Sequence, residues 1–191
     1  MSSMIEDGTG SGSKVKVTSD NKLKVEGTVE TAQSFAADNG DSYQIGSGAV
    51  VLTSSNESAV LFLKNNEDRN IILTGVNVTS SKQTGSSAET YLVKIYTKGT
   101  DLSAGPTMIP LNNNFGSSKL LDATVRAGEE GATVTDGVAS GAFYIQEGVF
   151  FNTDLAWVIP KGATIAMSVT PGASNSLLVV TATLKGHLHN D

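Results

Sequence analysis

FFNTDLAWVIPKGATIAMSVTPGASNSLLVVTATLKGHL, residues 150–188, decides the fold. Three apolar runs, residues 155–159, 163–169 and 177–184, are separated by Pro160-Lys161-Gly162 and by Pro171-Gly172-Ala173-Ser174-Asn175. Each run is short, rich in β-branched residues and bounded by turn formers, the pattern of successive antiparallel strands. The first gap, three residues with one Gly, is short enough for a tight hairpin. In the middle run Ile165, Met167 and Val169 fall on one face and Ala166, Ser168 and Thr170 on the other, as a half-buried strand requires. The third run is apolar on both faces at Leu177–Val180, then alternates through Thr181, Thr183 and Lys185, which predicts a strand buried at its start and wet at its end.

Working outward, the same pattern recurs. Residues 43–45, 49–52, 59–64, 70–79, 91–98 and 142–146 read as strands, separated by Gly-, Ser- and Asn-rich gaps. Gly75, after Ile71 and Leu73, breaks the alternation and predicts a bulge or bend. Residues 14–18 and 22–29 alternate apolar with charged residues around Ser19-Asp20-Asn21, a first hairpin with one wet, Lys-decorated face. Residues 30–42 and 99–141 have weak periodicity and read as connections, with a short helical turn at 118–123. No fixed-period repeat appears, which excludes solenoids and propellers. The reading is an all-β protein: an antiparallel β-sandwich, jelly-roll-like, of about ten strands and almost no helix. Residues 1–13, with Gly8, Gly10 and Gly12 among Ser and Thr, read as a flexible arm, and 14–191 as one domain.

Composition narrows the function. The 191 residues hold 19 acidic and 13 basic side chains, a net charge of −6, with no basic cluster to follow a nucleic-acid backbone or an anionic membrane. Cysteine is absent, which removes disulfide scaffolds, cysteine zinc sites and thiol nucleophiles. The opening residues contain no apolar segment of the secretory kind, and no apolar run is long enough to span a bilayer. The expectation is a soluble protein made in a cytoplasm.

No residue announces catalysis. His187 and His189, the only histidines, would share a strand face as two metal ligands do, but no third ligand is identifiable and the chain end suggests fraying. That position also fails a Ser–His–acid triad, whose base must be held rigidly. Asp38-Asn39-Gly40-Asp41 and Asn65-Asn66-Glu67-Asp68 cluster oxygens that calcium uses, but neither matches the twelve-residue calcium loop and both read as turns. A glycosidase needs two opposed carboxylates. Glu26, Glu30, Glu57, Glu129, Glu130 and Glu147 are present, with nothing in the sequence to pair them, and the Glu129-Glu130 doublet reads as a solvated loop. Asn56 and Asn77 head glycosylation sequons that carry weight only after secretion. Trp157 lies inside an apolar run and reads as a core residue rather than a platform for a sugar. Catalytic, cofactor-binding and metal sites are therefore all expected to be absent.

Residues 43–70, above all AVVLTSSNESAVLFLKNNEDRNIIL, resemble a family of virion structural proteins of tailed bacteriophages, in which a T-x-x-N-E-S-like turn between strands precedes L-K-N-N-E-D. The resemblance resumes at Asn114-Phe115-Gly116-Ser117-Ser118 and the Ala-Gly-x-x-Gly of residues 127–131. It returns at Val158-Ile159-Pro160-Lys161-Gly162-Ala163, Thr170-Pro171 and Asn175-Ser176. It implies a jelly roll that decorates or cements a capsid or sits on a head fibre, often as a homotrimer. The partners it implies are the major capsid protein and copies of the chain itself, on the capsid surface of the virion, with no catalytic residue to carry over. The arm and loops 80–88 and 105–115 are then the expected contacts. Two rivals remain: a carbohydrate- or receptor-binding jelly roll at a tail or fibre tip, using Tyr43, Phe115 and Tyr144, and a β-sandwich lyase or glycosidase.

Overall fold

The strand-forming runs pair into two antiparallel sheets that face each other across one apolar core. The computed structural model describes residues 31–82, 90–172 and 177–189, and the backbone of 4–6, 14–17 and 23–24. Two compact units divide the chain, Met1–Thr31 and Ala32–Asp191. In the first, Met4–Glu6 (β1), Lys14–Val17 (β2) and Leu23–Lys24 (β3) form a three-stranded antiparallel sheet, with Met4 opposite Lys16 and Val17 opposite Leu23. The alternating Lys-rich segments thus do pair as a hairpin. Their third partner is Met4–Glu6, inside the stretch expected to be a free arm, and neither large sheet includes them. The rest of the expected arm lies outside the described residues.

The second unit opens with a helix, Ala32–Asp38 (α1), where a loop was expected. Its stop is written in the sequence. Gly40, at φ 73°, donates its N–H to Ala37 O, and Asp41 N–H reaches Ala36 O at 2.7 Å. These are the two bonds of a Schellman cap, which glycine supplies because it enters the left-handed region without strain. The expected helical turn at 118–123 is absent: its residues lead into a strand, Ala123–Ala127, that pairs with the preceding apolar run.

The strands that follow α1 are Ser42–Gly46 (β4), Val50–Leu52 (β5), Ser58–Asn65 (β6), Ile71–Lys82 (β7), Thr90–Thr97 (β8), Asp101–Leu102 (β9), Leu111–Asn112 (β10), Ala123–Ala127 (β11), Val134–Thr135 (β12), Val138–Gln146 (β13), Phe151–Ile159 (β14), Thr164–Thr170 (β15) and Leu178–Leu188 (β16). Sheet I runs β10-β4-β16-β7-β14, with β5 also on β16; sheet II runs β11-β6-β15-β8-β13. Taking the eight principal strands in order (β4, β6, β7, β8, β13, β14, β15, β16), sheet I reads 1-8-3-6 and sheet II 2-7-4-5. This interleaving of two Greek keys is the jelly roll.

The interleaving overturns one local expectation. Pro160-Lys161-Gly162 makes no hairpin, because β14 belongs to sheet I and β15 to sheet II. The three residues carry the chain across the sandwich, a step of about 10 Å between facing sheets. Gly162, at φ 77°, turns the corner. Spacing alone cannot separate the two cases, since a short gap serves a hairpin or a corner equally well.

Alternating side chains fill the core. Ile45, Val78 and Leu184 of sheet I and Leu63, Val93 and Met167 of sheet II are each at most 1% exposed in one cluster. Burying each contributes about 1.5–3 kcal/mol. β6 lacks alternation, as SAVLFLKN, because both its faces are covered. On the outer side Phe62 and Ala166 pack beneath Leu102 of β9 and Ala132, with Val134 of β12 alongside. The expected break near Gly75 is present: the registers of β7 with both β14 and β16 skip at Thr74.

One side chain pins the corner. Asn65, fully buried at the end of β6, donates from Nδ2 to Ile159 O at 2.8 Å and to Arg69 O at 2.9 Å, while its Oδ1 accepts the Glu67 N–H at 2.9 Å. Its main chain bonds Gly162 and Ala163. Replacing Asn65 with Ala strands two carbonyls and one amide near the interior. We expect Asn65→Ala to lower unfolding free energy by about 2–4 kcal/mol, read by urea denaturation; a loss below about 0.5 kcal/mol would show that the corner is held by other bonds.

Candidate functional site

The histidines are better held than their position suggests. His187 lies in β16 opposite Ile72 of β7 and Ser42 of β4, is 7% exposed and has an unpartnered Nδ1. The strand end is tied, not frayed: Leu188 N–H donates to Asp41 O and His189 N–H to Asn70 O. Among the described residues, no three His, Cys, Asp or Glu side chains converge to hold a metal ion.

Asp38-Asn39-Gly40-Asp41 is the helix cap described above. Asp41, 4% exposed, receives Arg69 on both carboxylate oxygens (3.2 and 3.3 Å) and Lys119 Nζ at 3.2 Å. Burial pushes its carboxyl up, but the two cations outweigh burial and hold it below the usual carboxylate value. Asn65-Asn66-Glu67-Asp68 is a corner turn. Asn66 bonds Asp122 and Thr124, Glu67 accepts the Asp122 N–H at 2.8 Å, and Asp68 pairs with Lys161.

Two of the six candidate glutamates also have structural partners. Glu57, half-buried over sheet II, accepts from Lys94 Nζ, the Tyr96 hydroxyl and the Ser168 hydroxyl, each at 2.5 Å. Burial raises its carboxyl; the Lys94, Ser168 and Tyr96 bonds prevail and lower it. Glu130 clamps Thr53 through its N–H (2.9 Å) and hydroxyl (2.6 Å). Glu129 is exposed in its turn and Glu147 is half-buried at the end of β13; Glu26 and Glu30 lie outside the described residues. Asn56 is exposed in a bend, whereas Asn77 sits in β7 between two paired strands.

The aromatics divide. Tyr43, which the receptor-binding reading needs exposed, is buried at 2% in β4 with its hydroxyl donating to Gly40 O. Tyr144 and Phe115 are exposed, as a contact role requires. Trp157 sits opposite the buried Leu73, on the inner face of sheet I, yet stays 38% exposed because the sandwich is open on that side.

That opening forms an apolar groove. β13 and β14 are the unpaired edges of sheets II and I on the same side of the sandwich. Between them lies a groove of about 670 Å³, lined by Phe143, Phe151, Trp157, Gly141 and Ala142 and floored by Ile95 and Ile165. Phe143 and Phe151 stack at 4.4 Å. No lining residue is charged. Val158 of its lining and Phe150, next to Phe151, are exposed.

A second apolar surface flanks β10, at the other edge of sheet I. Ile109, Phe115 and Leu120 are 82%, 86% and 76% exposed. Their segment is fastened down by the asparagine run. Asn112 Nδ2 donates to Gly40 O, Asn113 Nδ2 to Ser42 Oγ, and Asn114 Nδ2 to Asp38 O. Asn114 Oδ1 also accepts Gly116 N–H, so Phe115 projects from a rigid loop.

Compared with known family models and with curated proteins, the chain matches none. No helix among the described residues is long and apolar enough to cross a membrane.

His187 gives this geometry a pH signature. Burial, then the neighbouring His189, holds its pKa below the ordinary 6.5. The folded chain keeps it neutral while the unfolded chain takes up a proton, so stability is full above 6.5 and falls as pH drops below it. Chemical denaturation between about pH 7 and pH 5 should show this decline, and His187→Gln should flatten it; an unchanged slope in the variant would assign the decline to other groups.

Proposed function

We propose that this chain is a non-enzymatic virion structural protein that decorates or cements the outside of a phage capsid, as a homotrimer bound to the major capsid protein. The observation that carries the reading is where the chain places its chemistry. Asp41, Glu57, Glu67 and Glu130 all serve internal bonds, while several large apolar side chains stand exposed on sheet edges and one braced loop. A scaffold built this way offers surfaces to neighbours rather than a proton-transfer pair to a substrate. The resemblance to tailed-phage virion proteins adds the setting. Its motifs fall on structural corners: Asn65 and Pro160-Lys161-Gly162 at one end, Asn114 on the braced loop. Gly128 lies where an added Cβ would overlap Ala59 O.

Exposed Phe115 and Tyr144 also favour a second reading, a glycan- or receptor-binding module at a tail or fibre tip. Immunogold labelling of purified particles with an antibody to this chain separates the two. Dense label over the shell is expected; label confined to a tail or fibre tip would favour the second reading, and no label on any particle would overturn both.

Neither large sheet contains a residue before Ser42. Deleting residues 1–13 should therefore leave thermal unfolding of the sandwich nearly unchanged while weakening capsid binding in a co-sedimentation assay. A large fall in Tm would mean that the segment is part of the core, and undiminished binding would move the attachment to the loops.

A further inference from the structure

We propose that the groove between β13 and β14 is the socket for Phe115 of a second copy of this chain, and that this contact, repeated head to tail, closes a ring of three. The inference rests on the self-association part of the reading above and supplies its surface.

Four observations converge. The socket is apolar, uncharged and open, and its volume of about 670 Å³ admits an aromatic side chain with room for its neighbours. The plug is the most exposed large apolar side chain among the described residues, at 86%, and it is held out by Asn114 rather than tucked in. The electrostatics favour a copy over a charged partner. On a chain of net charge −6, copies repel except where charge is absent. β13, VASGAFYIQ, carries no charge in nine residues, and β14, FNTDLAWVI, only Asp154. Unpaired edges of stable monomers are usually guarded by Lys, Pro, inward charges or bulges, and β13 has only a bulge, between Ala139 and Gly141.

Position sets the symmetry. The plug follows β10 at one edge of sheet I, and the socket opens beside β14 at the other. Plug and socket on opposite edges of one sheet favour a heterologous contact, and three copies is the ring to which the proposal commits. Val158, on the groove lining, would meet Ile109 or Leu120 beside the plug.

Sedimentation of the full chain tests this, with two variants that spare the fold. Phe115→Asp changes a side chain that touches little of its own chain. Gly141→Leu fills the socket where an added Cβ meets nothing within 4 Å. The wild type should sediment at three times 19.7 kDa and each variant at one, with unchanged circular dichroism. Because the chain has no cysteine, the double variant F115C/G141C, whose second cysteine stands opposite Ile95 on the groove face of β13, should form intermolecular disulfides on oxidation, joining copies through plug and socket. A wild-type trimer that survives both variants and gives no such disulfide overturns the proposal while self-association stands. A wild type that stays monomeric at every concentration overturns both this contact and the homotrimer, leaving capsid binding to the labelling experiment. An apolar compound found in native mass spectra of the monomer, lost in Gly141→Leu, would make the groove a small-molecule site instead.

Discussion

The structure depends on the side chain of Asn65 at the corner where the two sheets meet. A jelly roll must pass its chain repeatedly from one sheet to the other, and each passage breaks the ladder and leaves backbone groups to be satisfied. At the end of β6, one buried amide answers a carbonyl from β14, a carbonyl from the following turn and an amide from the same turn. The β14–β15 connection, which crosses the sandwich in four residues, is bonded to the same residue through its main chain. With that corner fixed, β14 is committed to sheet I and β15 to sheet II, and the strand order follows.

The same topology explains why the molecule is unfinished on one side. β13 and β14, the fifth and sixth principal strands, end their sheets side by side, and no later strand returns to cover them. The opposite side is treated differently. There β10 and the asparagine-braced segment cap β4, while β9 with β12 covers the outer face of sheet II. The apolar rim of the open side is a property of the strand order, and the absence of charge from β13 leaves its bulge between Ala139 and Gly141 to deter a neighbour without the help of charge.

Much of this was legible in the sequence. Alternation located most of the long strands, because each has one face on a shared core. It undershot the ends of β7, β13 and β16, where polar residues continue the ladder without continuing the pattern. α1 was missed although Gly40, two residues past its end, is a stop signal; a seven-residue helix has too few turns to show a period. Pairing was the larger gap. Sequence spacing made Pro160-Lys161-Gly162 a hairpin, and only the facing sheet shows that it is a corner. The candidate sites failed for a related reason: Asp41, Glu57 and Glu130 carry suitable chemistry, but partners far along the chain, such as Lys119, Ser168 and Thr53, occupy them. Tyr43 was rightly read in a strand, but its exposure was not legible, because the Gly40 carbonyl that its hydroxyl meets at 3.0 Å is brought there by the helix cap.

Hydrogen–deuterium exchange on the intact chain, compared between dilute and concentrated solution, tests most directly whether the open side is where copies meet. Residues 138–146 and 109–120 should gain protection together as concentration rises, with β6, β7 and β16 unchanged because their amides are already paired. Protection that appears elsewhere, or in only one of those two segments, would contradict the account.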